Sequence, residues 1–94
     1  MDKTYKTTDF DLVTTLTYFG NLVKGIEVNP KDKRATFYIK QDENLQNTIE
    51  AYFKKEIRVE PQGYRQSYRY VKNLLNDSIR DIYKEEKYEE RTGD

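Results

Sequence analysis

The apolar positions of this chain change period four times, and each change marks an element. In TTDFDLVTTLTYFG (residues 7–20), Phe10, Val13, Leu16 or Thr17, and Phe19 or Gly20 recur at the helical period, and Leu12 widens the stripe. Thr8 or Asp9 can accept hydrogen bonds from the free N–H groups of the first turn, and Asp9 and Asp11 suit its positive end. Gly20 supplies a left-handed stop. The threonines lower helix propensity, so burial of the stripe must hold this helix. In NLVKGIEVNPKDKRATFYIK (residues 21–40) the period shortens to two. Ile26 and Val28 share one face. Ala35, Phe37 and Ile39 share another, with Thr36, Tyr38 and Lys40 opposite, and NPKDK carries turn residues between the two runs. This pattern predicts a half-buried antiparallel hairpin.

The helical period returns in QDENLQNTIEAYFKKE (residues 41–56), with Asp42 as cap and Leu45, Thr48, Ile49, Tyr52 and Phe53 along one side. IRVEP (residues 57–61) then alternates Ile57 and Val59 with Arg58 and Glu60, which predicts a short third strand against the hairpin. Pro61 ends that strand and suits the first position of a helix. The last element runs from about Pro61 to Tyr83, with an extension towards Glu90. Tyr64, Tyr68, Val71, Leu75, Ile79 and Ile82 fall on one stripe at about 100° per residue.

The expected class is therefore α+β: a small antiparallel sheet of two or three strands packed against helices, in the order α-β-β-α-β-α with a long C-terminal helix. The 94 residues make one domain. Its folded core is expected over residues 5–83, and the acidic segment 84–94 reads as a tail that frays.

Composition narrows the function. There is no histidine and no cysteine. The usual proton-transfer side chain, a thiolate nucleophile, a disulfide framework and a Cys/His zinc site are therefore all absent. Ser67 and Ser78 lie in the last helix without a histidine partner, and the four glycines form no phosphate-cradling loop. Asp9 with Asp11, or Asp42 with Glu43 or Glu50, could chelate magnesium as in a metal-dependent nuclease, but caps need acids at these places anyway, and all five read as caps and solvated faces. The reading is a protein that is not an enzyme and needs no cofactor or metal. No apolar run of about 18 residues exists, so no membrane span is expected, and a cytoplasmic setting follows by default.

Seventeen basic residues balance seventeen acidic ones, but not locally. Lys24 to Lys40 holds five bases and two acids, a net +3. Lys54 to Lys72 holds six bases and two acids, a net +4. Asn76 to Asp94 holds four bases and seven acids, a net −3. On the last helix Arg65, Arg69 and Lys72 share a face at i, i+4 and i+7. Tyr64 and Tyr68 belong to the core stripe, and Tyr70 is the ring that projects away. Arg58, Arg65, Arg69, Tyr70 and Lys72 then form a candidate basic and aromatic surface, with Lys31, Lys33 and Arg34 of the hairpin as further backbone contacts.

Tyr5-Lys6-Thr7-Thr8-Asp9-Phe10 with Leu12, Gly20, Gly25-Ile26-Glu27, Phe37, Leu45, Ile49, Tyr52, Arg58-Val59-Glu60-Pro61, Tyr64 and Lys72-Asn73-Leu74 resembles a family of short uncharacterised proteins. They form a domain of unknown function carried by phages, plasmids, bacteria and archaea. The resemblance covers about residues 5–75 and implies a small stand-alone domain from a mobile element, with no catalytic residues to carry over. Two functions remain as expectations. One is nucleic-acid binding through the basic surface. The other is a protein-interaction module, such as an inhibitor of a host enzyme or of a CRISPR-type defence complex, acting through the long helix or as a homodimer.

Overall fold

The computed structural model describes the backbone of residues 4–92 and the side chains as far as Asp81. The chain order is β1 (Thr4–Thr7), α1 (Phe10–Tyr18), β2 (Val23–Val28), β3 (Ala35–Lys40), α2 (Glu43–Phe53) and α3 (Pro61–Thr92). The three strands form one antiparallel sheet in the order β1-β3-β2. The expected class is the one observed: a small antiparallel sheet packed against helices, with a long C-terminal helix.

The third strand differs from the expectation. It is Thr4–Thr7, which pairs Tyr5 with Ile39 and Thr7 with Phe37, and residues 57–59 join no sheet. Ile57 and Val59 are half-buried and Arg58 and Glu60 exposed, so the alternation is present without strand partners. The reason lies in the path of the chain. The Tyr52 hydroxyl lies 3.4 Å from the Asp9 carboxylate at the start of α1, and Glu60 N–H donates to the Tyr18 hydroxyl at its end (3.0 Å). The segment between them runs back along α1, and a helix surface buries one side of an extended chain as well as a sheet does.

Helix α1 is the centre of the fold. Leu12, Val13, Thr14, Thr15 and Leu16 are all buried, and five consecutive residues sweep more than one full turn. Threonine is tolerated there because Thr14 and Thr15 donate their hydroxyls to the carbonyls of Phe10 and Asp11, both at 3.0 Å. Asp9 caps α1 through Leu12 N–H (3.1 Å) and Asp42 caps α2 through Leu45 N–H (2.9 Å). Both helices end alike. Gly20 (φ 90°) and Lys55 (φ 62°) turn left-handed, and the next N–H groups reach back to Leu16 O and Ala51 O at 2.9 Å.

The core joins Leu12, Val13 and Leu16 of α1, Phe37 and Ile39 of β3, Leu45 and Ile49 of α2, and Val71 of α3. Each such side chain stabilises the fold by about 1.5–3 kcal/mol relative to exposure. Phe53, expected on the apolar side of α2, is instead 64% exposed. Among the described residues Leu75 is the last of α3 packed against the core, yet the helix continues to Thr92. It thus takes in most of the segment 84–94. Thirty-two residues at about 1.5 Å each give roughly 48 Å of helix, which sets the 55 Å long axis of the molecule. Among the described residues no helix is long and apolar enough to cross a membrane.

Candidate nucleic-acid interface

Helix α3 opens at Pro61, whose missing N–H costs nothing there. The Glu60 carboxylate accepts from Gly63 N–H and takes the place of a shorter capping residue. Three side chains then seat the helix antiparallel to α1. The Tyr64 ring lies 6.2 Å from that of Tyr18, with its hydroxyl 3.5 Å from Thr15 Oγ1. The Tyr68 ring meets Phe10 edge-on at 5.3 Å. Val71 is fully buried.

This seating turns Arg65, Arg69 and Lys72 outwards, and all three are exposed. Arg58, just before the helix, is exposed as well. Arg58, Arg65 and Arg69 make no hydrogen bond or ion pair among the described residues; an ion pair on this helix lies further on, between Arg80 and Asp77 (3.8 Å). The Lys72 ammonium stands 6.0 Å from the centre of the Tyr68 ring. Tyr68 is 41% exposed, so it is not wholly a core residue. Arg65, Tyr68, Arg69 and Lys72, at i, i+3, i+4 and i+7, form one strip with a half-open ring among its cations.

Tyr70 does not join that strip. It lies about 100° round the helix from Arg69 and about 140–160° from Arg65 and Lys72. It lines a cavity with Leu22 and Val23 on the flank facing β2. The ring beside the cations is therefore Tyr68. The sequence places Tyr68 on the edge of the apolar stripe, and only the position of Phe10 decides how far it opens.

The hairpin cations form a third group. Asn29 and Asp32 build the turn by accepting from Lys31 N–H (2.9 Å) and Arg34 N–H (3.0 Å). Lys33 is left-handed (φ 60°), and its ammonium donates to Pro30 O (2.9 Å). Lys31 and Arg34 are exposed. The turn follows the Val28–Ala35 pair, at the end of the sheet where α1 begins. The strip on α3 starts at the other end and runs towards it. The structure therefore gathers Arg65, Arg69 and Lys72, sets Arg58 at the start of their helix, and leaves Tyr70 and the hairpin apart from them.

The sheet face away from the helices carries Lys6, Tyr38 and Glu27. The Tyr38 hydroxyl donates to the Glu27 carboxylate, and the Lys6 ammonium is 5.5 Å from the ring. The bond to Glu27 raises the Tyr38 pKa, with smaller contributions from burial and from the Glu27 charge. Burial raises the Tyr52 pKa, and the charges of Asp9 and Asp11 add to it. Among the described residues no three acidic, histidine or cysteine side chains could hold a metal ion. The surface as a whole offers exposed cations and aromatic rings.

A family profile described as "Domain of unknown function (DUF5659)" matches residues 2–77. No curated protein and no solved structure matches the chain.

Proposed function

The chain belongs to the DUF5659 family, a domain of unknown function, and from that premise we propose that it is a non-catalytic protein that binds single-stranded nucleic acid along α3. The observation that carries this reading is the strip itself. Arg65, Arg69 and Lys72 stand exposed in one row, with the two arginines unpaired among the described residues, in a chain whose total charge is zero. Arginines left without carboxylates in a protein with seventeen acids are free to meet phosphates. The exposed part of the Tyr68 ring offers a face on which a base can stack. Arg58 extends the positive field at the start of the helix.

Arg65 to Lys72 spans about 10 Å of helix, so the strip reaches only a few phosphates. Binding is accordingly weak, dependent on salt and tolerant of sequence. Fluorescence anisotropy with short labelled oligonucleotides at about 50 mM and 200 mM salt tests this. The expected result is binding at the lower salt with a log–log slope near −2, about 0.7 per phosphate for three contacts. No measurable binding at about 50 mM salt overturns it.

A specific observation favours a second reading, a protein-interaction module. Among the described residues Leu75 is the last of α3 packed against the core, and the helix runs on for 17 residues, about 25 Å, to Thr92. A second copy or a host protein, such as an enzyme or a defence complex, is the occupant this reading requires. Sedimentation at two concentrations tests the first case, and an unchanged monomer mass excludes it.

A further inference from the structure

On the flank of α3 opposite the cation strip lies a cavity of about 350 Å³, lined by Thr17, Gly20, Asn21, Leu22, Val23, Gly63, Gln66, Ser67 and Tyr70. Three features set it apart from an ordinary surface dent. First, its wall contains a defect. Thr14 and Thr15 satisfy their hydroxyls on backbone carbonyls, but the Thr17 hydroxyl is buried and has no partner. A buried hydroxyl without a partner is costly; the oxygen is closed off from the cavity as it stands, and a χ1 turn of Thr17, which has two rotamers open to it in a helix, brings it to a ligand that recovers that cost. Second, its apolar side is open. Leu22 is 66% exposed and Tyr70 53% exposed, so an aliphatic side chain and an aromatic ring stand uncovered at the same cavity. Third, its floor is fixed. Gly20 turns the chain left-handed, and buried Asn21 holds Leu16 O through its backbone N–H (2.9 Å) and its side chain (3.2 Å).

The lining contains no charged residue. Gln66 and Ser67 supply donors and acceptors, and Tyr70 supplies a flat face one turn further along the helix. The volume lies in the range of small-molecule sites and far exceeds the roughly 30 Å³ of one water. We propose that this cavity binds an uncharged, planar heteroaromatic base, stacked against Tyr70 and hydrogen-bonded by Gln66, Ser67 and Thr17. The same chemistry is offered by a free nucleoside and by an unpaired base within a strand. The site stands independently of the cation strip, because it contributes no charge and its binding is insensitive to salt.

The test uses the intact protein at about 300 mM salt, where phosphate contacts are weak. Adenosine, guanosine, cytidine and uridine are titrated separately, and amide NMR shifts are followed at Asn21, Leu22, Gly63, Gln66 and Ser67. A nucleoside has about 20 heavy atoms, and ordinary ligand efficiency gives a Kd on the order of 0.1 mM. Tyr70→Ala, a change at an exposed ring, weakens binding about tenfold. Thr17→Val also weakens it, while leaving the fold intact. If only an oligonucleotide moves these amides, and Tyr70→Ala abolishes the effect, the base is presented by a strand. If neither nucleosides nor oligonucleotides move them, or if Tyr70→Ala changes nothing, the proposal is overturned. That result leaves the salt-dependent test of the cation strip untouched.

Discussion

The Lys72 ammonium stands 6.0 Å from the centre of the Tyr68 ring, one turn along the same helix, while that ring meets Phe10 in an edge-to-face pair with centroids 5.3 Å apart. Tyr68 thus links the α1–α3 seam to the row of cations above it. If the strip binds single strands, the ring and the charges should separate in their effects. Tyr68→Ala is expected to cut affinity for short single strands about tenfold at all salt concentrations, through the lost stacking surface. Lys72→Gln is expected to reduce the salt slope by about one contact. Phe53→Ala, at an exposed ring on α2, should leave binding at the strip within about twofold. Equal losses from Tyr68→Ala and Phe53→Ala would mean that the strip is not where the strand lies.

Local chemistry made much of this fold legible. Asp9, Asp42, Gly20 and Pro61 act at the helix ends where their side chains or backbones predict, because a cap or stop needs only its own few neighbours. The alternation of Ala35, Phe37 and Ile39 fixes the core face of β3 for the same reason. What failed was decided at long range. Thr4–Thr7 has a single aromatic and no apolar alternation, and it becomes a strand only because β3 lies beside it. Ile57 and Val59, half-buried with exposed neighbours, lie on a segment tied at both ends to α1 and to no strand, an arrangement that the pattern alone does not tell from a sheet. In the site, the spacing of Arg65, Arg69 and Lys72 was readable. The choice between Tyr68 and Tyr70 depended on Phe10 and Leu22, which are distant in sequence.

Helix α3 is held to the body by few fully buried atoms, and Val71 is its one described residue in the buried core. Val71→Ala leaves a cavity between α1, the sheet and α3. We expect a loss of about 2 kcal/mol, a large share of the 5–15 kcal/mol typical of a small domain. Urea denaturation followed by far-ultraviolet circular dichroism measures it. Arg69→Gln, on the exposed side, should stay within about 0.5 kcal/mol of the parent. A similarly small effect at Val71 would show that α3 is not anchored there.

Two glycines should respond to alanine with opposite signs. Gly20 has φ 90° and nothing within 4 Å of an added Cβ, so Gly20→Ala meets backbone strain without a clash and should cost about 1–2 kcal/mol. Gly25, in the edge strand β2, also has open space but no left-handed backbone. Gly25→Ala restrains the unfolded chain and should stabilise by about 0.5 kcal/mol. Melting temperatures of the two variants, measured side by side, decide the matter. Two losses of equal size would contradict the conformational account.

The last prediction concerns alkaline pH. Burial, with the charges of Asp9 and Asp11, raises the Tyr52 pKa above its ordinary value of 10, and the Glu27 bond raises that of Tyr38. In both cases the folded protein holds the phenolic proton more tightly than the unfolded chain. Their contribution to stability is therefore complete below about pH 10, where both states are protonated. As pH rises beyond that, the unfolded chain ionises first, and the contribution is lost through the higher folded-state pKa. Tyr52→Phe removes one such group, together with the long hydrogen bond to Asp9, and should cost at most about 1 kcal/mol at neutral pH. Between pH 9 and 11 its unfolding midpoint should fall less steeply than that of the parent, and Tyr38→Phe/Tyr52→Phe should fall less steeply still. Lysine ionisation affects all three proteins alike, so the difference between the curves isolates the phenols. Parallel curves would show that Tyr52 titrates equally in the folded and unfolded states.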